Sequence, residues 1–292
     1  MKALVTGGAG FIGHHLVNLL LDLNYEVHVW DNLSTGKLDR VPSNVNCTFT
    51  KLDLTYDVFP KERFDVIYHL AAPTSVQESL ENPSKYEQGC YMATKRVLDW
   101  AEKTKVKSFV MASTAAVYGN PASFPVSESN QLDPMSPYAE GKLRAEQLMA
   151  AYHKAFRINC TALRLFNVYG EEQPSSGSYA PAVALFLKQF EAFKPITVTG
   201  DGLQTRDYVY VKDVVRAFEA AGRTASPNFR VINVGTGEEL TILEIAETFG
   251  GEIIHVEPRV EPRRSVANIE TAKKELNWKP EQSLISWIET NK

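Results

Sequence analysis

Thr6-Gly7-Gly8-Ala9-Gly10-Phe11-Ile12-Gly13 joins a short apolar run, Lys2–Thr6, to residues 11–23, where Ile12, Leu16, Leu19, Leu20 and Leu23 share one helical stripe. A strand, a glycine-rich turn and a helix in that order leave few folds open. Gly7 permits the tight turn, Gly10 lets the backbone approach a pyrophosphate, and Gly13 lets helix and strand pack closely. The helix N-terminus adds unpaired N–H groups and the positive end of its dipole. A glycine cluster alone also fits a mobile turn, so a second signal matters. Asp31 ends the next apolar run, where a carboxylate hydrogen-bonds both hydroxyls of an adenosine ribose and repels a 2′-phosphate. Those two signals together predict NAD rather than NADP, although Lys37 nearby offsets part of the repulsion.

The next 130 or so residues repeat the strand–helix alternation. Strands are expected at residues 25–30, 46–53, 65–70, 107–112 and 160–166, and helices at about 82–104 and at Pro137–Phe156. No hairpin turn separates the strands, which argues for an α/β fold with a doubly wound parallel sheet covered on both faces. Beyond Gly170 the pattern becomes irregular. A polar loop (171–179) precedes a helix at 180–193, a strand at Ile196–Thr199, a helical period at 209–221, a strand at 229–234 and helices at 241–249 and 269–276. These pieces read as a smaller C-terminal lobe. The expected partition is 1–166, with returning segments about 204–236, for the dinucleotide, and 167–203 with 237–292 for the substrate.

Composition narrows the partners. Of 292 residues 44% are hydrophobic, enough for a large core and too many for a disordered chain. With 31 basic and 35 acidic residues, no strongly basic field is available for nucleic acid or an anionic membrane. Cys47, Cys90 and Cys160 are scattered and odd in number, so neither a disulfide framework nor a metal site is expected. Gly7, Gly8, Gly10, Gly13, His14 and His15 interrupt any leader-like apolar run, and no membrane span is present, so a cytoplasmic enzyme is expected.

The chemistry concentrates in Ser136-Pro137-Tyr138-Ala139-Glu140-Gly141-Lys142. Ser136 suits an N-cap and Pro137 the first helical position, which sets Tyr138 and Lys142 one turn apart. A phenol of pKa about 10 is a poor base, and a nearby ammonium with an oxidised nicotinamide ring would lower it. An exposed helix with an incidental pair is the plainer alternative. Gly141 argues against it, since glycine inside a helix costs about 1 kcal/mol and implies a close neighbour. Ser113-Thr114 follows the fifth strand and can offer hydroxyls to a substrate oxygen, with no nucleophile elbow around it. Asp53-Leu54 and Leu70-Ala71-Ala72 end the third and fourth strands, at the edge where ligands of open α/β sheets collect. Asp53 is read equally well as a turn former and the small residues as tight packing.

Taken in order, TGGAGFIG (6–13), DNLSTG (31–36), HLAA (69–72), STAAVYG (113–119), SPYAEGK (136–142), LRLFNVYG (163–170) and GDGLQTRDYVYVKDV (200–214) resemble one known family. It is the extended short-chain dehydrogenases/reductases, specifically their NAD-dependent nucleotide-sugar epimerase/dehydratase group. The resemblance covers nearly the whole chain and implies a seven-stranded Rossmann domain with a C-terminal nucleotide-sugar lobe. It implies that Tyr138 is the base, Thr114 the catalytic hydroxyl and Lys142 the holder of the nicotinamide ribose. NAD would be held by Gly7, Gly10, Phe11, Ile12, Gly13, Asp31, Asn32, Ser34, Gly36, Asp53, Leu54, Leu70, Ala71, Ala72, Tyr138 and Lys142. The nucleotide sugar would be held by Ser113, Thr114, Asn167, Arg206 and Arg259.

Within the group, dehydratases carry an Asp-Glu pair, and UDP-glucuronate decarboxylases a Glu, where this chain has Ala115-Ala116. That points to epimerisation at C4 of a UDP-hexose through a 4-keto sugar, against a net dehydratase or reductase, or an NAD-sensing binding protein. The chain departs from the family pattern at Cys90, which replaces an asparagine, at Ala93, which replaces a glycine, and at Pro258–Pro262, which is one residue short and puts the Glu261 ribose contact in doubt. Leu165 stands where UDP-galactose epimerases usually have tyrosine. Ser265, small at a gatekeeper position, would admit N-acetylhexosamines. A homodimer through the helices near 82–104 and 137–156 is implied by the same resemblance.

Overall fold

The computed structural model describes residues 1–175, 180–258 and 262–292. Its strands are β1 (Lys2–Thr6), β2 (Glu26–Asp31), β3 (Cys47–Lys51), β4 (Val66–His69), β5 (Ser108–Thr114), β6 (Asn159–Leu165), β7 (Asn167–Tyr169), β8 (Ile196–Thr199), β9 (Thr205–Arg206), β10 (Tyr208–Tyr210), β11 (Arg230–Val234), β12 (Leu240–Thr241) and β13 (Ile253–Val256). Its helices are α1 (Phe11–Asp22), α2 (Val76–Glu81), α3 (Pro83–Tyr86), α4 (Ala93–Thr104), α5 (Pro137–Phe156), α6 (Ala182–Glu191), α7 (Val211–Arg223), α8 (Ile242–Phe249), α9 (Glu270–Leu276) and α10 (Leu284–Asn291).

Seven strands form one sheet in the order β3-β2-β1-β4-β5-β6-β11, and every pair is parallel. Such a sheet must be covered on both faces, and the sequence supplies apolar side chains for both. On one face Val5, Val27 and Val29 pack with Leu16, Val17 and Leu20 of α1 and with Val214, Val215 and Phe218 of α7. On the other, Leu4, Ile67, Phe109 and Met111 meet Val97, Leu98 and Ala101 of α4 and Ala145 and Met149 of α5. The strand order reverses at β1, between β2 and β4, which opens a crevice beyond the carboxyl ends of these strands. At the opposite edge, α1, α4 and α5 are followed by return turns carrying non-glycine residues in the left-handed region: Asn24 (φ 60°), Lys105 (φ 59°) and Arg157 (φ 61°).

A third core lies past β6. Tyr169, Val183, Phe186, Ile196, Val198, Ile245, Phe249, Trp287 and Ile288 pack together around three two-stranded pieces, β7–β10, β8–β13 and β9–β12. Three details differ from the sequence reading. The helical stretch expected at about 82–104 runs unbroken from Pro83 to Thr104, but Glu87–Met92 takes π-helical geometry between α3 and α4. The period read from residue 209 begins with a strand, β10, and helix α7 starts at Val211. Ala272, Leu276 and Trp278, inside the 237–292 span assigned to the lobe, belong to the first core, because α9 lies against α7 and β11. The short elements β13, α2 and α10 had no expectation behind them. No helix among the described residues is long and apolar enough to cross a membrane.

Candidate active site

The glycine turn is shaped by close approach. At Gly7 (φ +72°) an added Cβ would stand 2.7 Å from the Ala71 nitrogen, and at Gly13 it would stand 2.1 Å from the Gly7 carbonyl oxygen. Neither position accepts a side chain without moving backbone. Helix α1 opens on Gly10 with no side-chain cap and no acid in its first turn, so its leading N–H groups face the crevice with an uncompensated dipole. Phe11 and Ile12 turn their side chains into the third core, which leaves their backbone for a ligand.

Asp31 is buried at the end of β2, and its carboxylate accepts N–H from Ala9 (3.1 Å) and Leu33 (2.8 Å). Asn32 donates to Asp53 (2.9 Å) and accepts from the Ser34 amide (2.9 Å), so three of the expected cofactor residues form one group. Gly36 lies against Ala9 and Asp31. Leu54 is buried in the second core, so only its backbone is available. A bare glycine turn, an uncapped helix start and an anchored, buried carboxylate make a donor and acceptor set that fits a dinucleotide diphosphate and its ribose.

Leu70, Ala71 and Ala72 leave β4 beside this turn, tied to it through His69. The Ala71 amide donates to Thr6 Oγ1 (3.4 Å), which donates to His69 Nδ1 (2.8 Å); His69 Nε2 donates to Thr94 Oγ1 (3.0 Å), which donates to the Cys90 carbonyl (2.6 Å). The tautomer follows from that chain, because the Thr94 hydroxyl spends its proton on Cys90. Burial, with the Lys142 charge nearby, pulls the His69 pKa down to about 3, so the ring is neutral.

Ser136 caps α5 by accepting the Ala139 amide (3.2 Å), and Pro137 occupies its first turn. Tyr138 and Lys142 follow one turn apart, 9% and 4% exposed. Thr114 ends β5, accepts the Ala116 amide (3.1 Å) and hydrogen-bonds the Tyr138 phenol. Lys142 Nζ donates to the Ala112 carbonyl (2.8 Å). Burial, then the Cys90 thiol, pushes the phenol above its ordinary range, while the Thr114 bond favours phenolate. Burial also draws Lys142 down, against the Cys90 and Glu146 charges. The expected lowering of the phenol is therefore not supplied by the chain alone. Lys142 donates one of its three N–H bonds to Ala112 and keeps its charge, and a positive ring bound beside Tyr138 would add to that charge in favouring phenolate.

The neighbour that Gly141 implied is Cys90, on the π-helical turn: a Cβ at Gly141 would lie 3.0 Å from the Cys90 Cβ. Tyr86, Cys90 and Tyr138 form a small buried cluster flanked by Ala72 and Ala116, with the Tyr86 ring edge-on to Tyr138 at 6.2 Å.

Among the expected substrate residues, Ser113 is placed differently. Strand alternation turns its side chain away from that of Thr114, and its hydroxyl donates to buried Glu146, itself paired with Arg164 through two hydrogen bonds (3.1 and 2.7 Å). Asn167 begins β7, and its amide bonds the Asp207 carbonyl (3.0 Å) beside Arg206. Arg206 lies in β9 opposite Leu240 and donates to the Thr205 carbonyl (2.8 Å). Arg259 and Glu261 lie outside the described residues. Leu165 is buried, and Ser265 is half-buried.

Asp207 escaped the sequence reading. Fully buried, its carboxylate accepts four hydrogen bonds in addition to one backbone contact: from the Thr236 amide (2.7 Å) and hydroxyl (2.8 Å), and from the Gly237 (2.9 Å) and Ala267 (3.0 Å) amides. Burial pushes its carboxyl up against those donors. The available signal was an acid in the apolar run Tyr208–Tyr210 and its approach, where a charge needs partners.

The description of the NAD-dependent epimerase/dehydratase family matches residues 3–235. A putative UDP-glucose 4-epimerase of Methanocaldococcus jannaschii is 35% identical over 307 residues, covering 99% of this chain and 98% of that protein. Among solved structures, a UDP-glucose 4-epimerase of Thermotoga maritima with UDP-glucose superposes with a TM-score of 0.94 at 33% identity, over 100% of this chain and 97% of that one. A UDP-N-acetylglucosamine 4-epimerase of Methanobrevibacter ruminantium, in complex with UDP-N-acetylmuramic acid, gives 0.94 at 30% identity, over 99% and 95%.

Proposed function

The chain belongs to the NAD-dependent epimerase/dehydratase family, and from that premise we propose that it is an isomerase interconverting the C4 epimers of a UDP-hexose, N-acetylhexosamines included. The observation that carries this reading is Tyr138 beside Thr114 at the end of β5, followed by Ala115 and Ala116 instead of acids. Two methyl groups can neither protonate a leaving group nor take a proton. NAD, when bound, supplies a hydride acceptor and donor at C4, so that net redox is zero.

The residues handle protons and position. The Tyr138 phenolate takes the C4 hydroxyl proton through or beside Thr114 and later returns it. Lys142, held by Ala112, fixes the nicotinamide ribose and adds positive charge. Gly7, Gly10 and Gly13 give backbone access to the pyrophosphate, and Asp31 takes the ribose hydroxyls. The 4-keto sugar must show its other face before reduction, so the grip belongs at the nucleotide, through Asn167, Arg206 and Arg259, and contacts to the sugar stay loose. Ser265 leaves room for an acetamido group, and the UDP-N-acetylglucosamine 4-epimerase similarity supports that breadth. In this reading residues 1–166 with about 204–236 hold NAD, and 167–203 with 237–292 hold the substrate, except that α9 serves the first core.

Anaerobic incubation with UDP-galactose tests the proposal. UDP-glucose should form without accumulating NADH or losing water, and Tyr138→Phe should reduce turnover by about 10²–10⁴-fold while leaving NAD bound. A dehydrated or net reduced product would replace this reading. We also read the chain as a cytoplasmic homodimer pairing through α4 and α5; a monomer in sedimentation at micromolar concentration would remove the dimer.

A further inference from the structure

Past β7 the chain places two acids side by side, and neither has a part in the reaction described above. Glu171 accepts the Tyr210 hydroxyl (2.7 and 2.9 Å) and so belongs to the third core, while its carbonyl meets His15 Nε2 (3.1 Å). Glu172 points the other way, from a left-handed backbone (φ 60°) that non-glycine residues rarely adopt. Its side chain bonds Arg40 on the ribose arm of the dinucleotide crevice and lies near His14 of α1. Arg40, in the turn Leu38–Arg40 just beyond Asn32, Ser34 and Gly36, donates Nε to Glu172 Oε2 (2.9 Å) and a terminal nitrogen to the Glu172 carbonyl (2.7 Å). His14, in the first turn of α1, donates Nδ1 to the Gly10 carbonyl (2.9 Å), orienting the peptide whose N–H opens the phosphate site. Its Nε2 is buried without a hydrogen bond and faces Glu172 Oε1 at 3.7 Å. The Arg40 side chain is 8% exposed, so the pair is shielded on its cationic side.

We infer that Glu172 is a positioning residue for the dinucleotide: it ties the arm that holds the ribose, through Arg40, to the segment after β7, whose Glu171 carbonyl is bonded by His15 of α1, the helix that opens the pyrophosphate site, and thereby slows release of NAD. The inference rests on the assignment of this crevice to NAD. An enzyme that returns its hydride each cycle has no need to exchange cofactor, and a tie across the crevice mouth serves that economy. The residue acts through Arg40 and touches no reacting atom.

Release of NAD from NAD-saturated protein, followed by dilution and rapid filtration, tests this. Glu172→Gln and Arg40→Gln should each release NAD about tenfold faster, equivalent to roughly 1.4 kcal/mol. The double variant should release no faster than either single one, because both break one link. Melting of the NAD-free variants should stay within about 3 °C of the parent. Unchanged release, additive effects, or a lower NAD-free melting temperature that accounts for the loss would each overturn the inference. A parent chain that retains no NAD would instead overturn the cofactor assignment beneath it.

Discussion

One added methyl carbon at Gly13 would stand 2.1 Å from a backbone oxygen, whereas at Gly250 or Gly251, beyond α8, it would meet nothing within 4 Å. The same contrast runs through the molecule. The cofactor half is one continuous parallel sheet with buried polar links, such as the His69 chain and the Glu146–Arg164 pair, both residues 3% exposed. The far side is built from strand pairs of two to four residues and tied by exposed ions: Arg263 to Asp201, and Arg264 to Glu239 with its guanidinium over the Phe124 ring at 4.7 Å. A half joined by buried polar links and a half tied by exposed ions suit a reaction in which the cofactor stays and the sugar must turn.

That contrast can be broken most directly at the glycines. Gly13→Ala should abolish NAD binding and destabilise the protein by roughly 1–3 kcal/mol, because backbone has to shift. Gly250→Ala, at φ 79° and ψ 179° where almost only glycine sits, should cost roughly 1–3 kcal/mol through backbone strain and leave NAD binding intact. Chemical denaturation with NAD titration measures both, and equal loss of NAD binding at the two sites would erase the distinction. His69 sharpens it through pH. Its folded pKa near 3 lies below the ordinary 6.5, so between those values the unfolded chain binds a proton that the native chain does not. Native stability should therefore fall with pH across that window by up to about 1.4 kcal/mol per unit. Urea unfolding of His69→Asn at pH 7 and pH 5 should show a shallower decline; an unaltered slope would remove His69 from this role. The smallest effect belongs to Arg263→Ala. Hydrogen bonding to Arg263 holds the Asp201 carboxyl at about 2, yet the pair is open to water. Melting at pH 7 should not change measurably, and a clear drop would mean that exposed ions do hold this side together.

Local signals made the sheet half legible. Pro137–Phe156 was bounded by its own cap, Ser136-Pro137, and the buried strands by unbroken apolar runs. Elements whose stability comes from partners were not. β7 and β10 are three residues each and exist because Asn167–Tyr169 pairs with Tyr208–Tyr210, some forty positions away. The π-helical turn has no composition signal; it carries Cys90 to its place against Gly141 on another element. At the candidate site, the Tyr138–Lys142 spacing and the glycines could be read in sequence. Ser113 could not, since the expected strand stopped at residue 112 and its partner Glu146 lies on another element. Asp207 stands inside the 200–214 motif, yet its role and that of Glu172 depend on partners far along the chain and do not show locally.

The return turns at Asn24, Lys105 and Arg157 sit at the end of the sheet away from every residue assigned a role here. Strands of four to seven residues separate the two ends by roughly 13–23 Å. The molecule thus offers a working side and a handling side: fusions, surface tethers or new chain ends introduced at those turns would leave the chemistry a full strand length away.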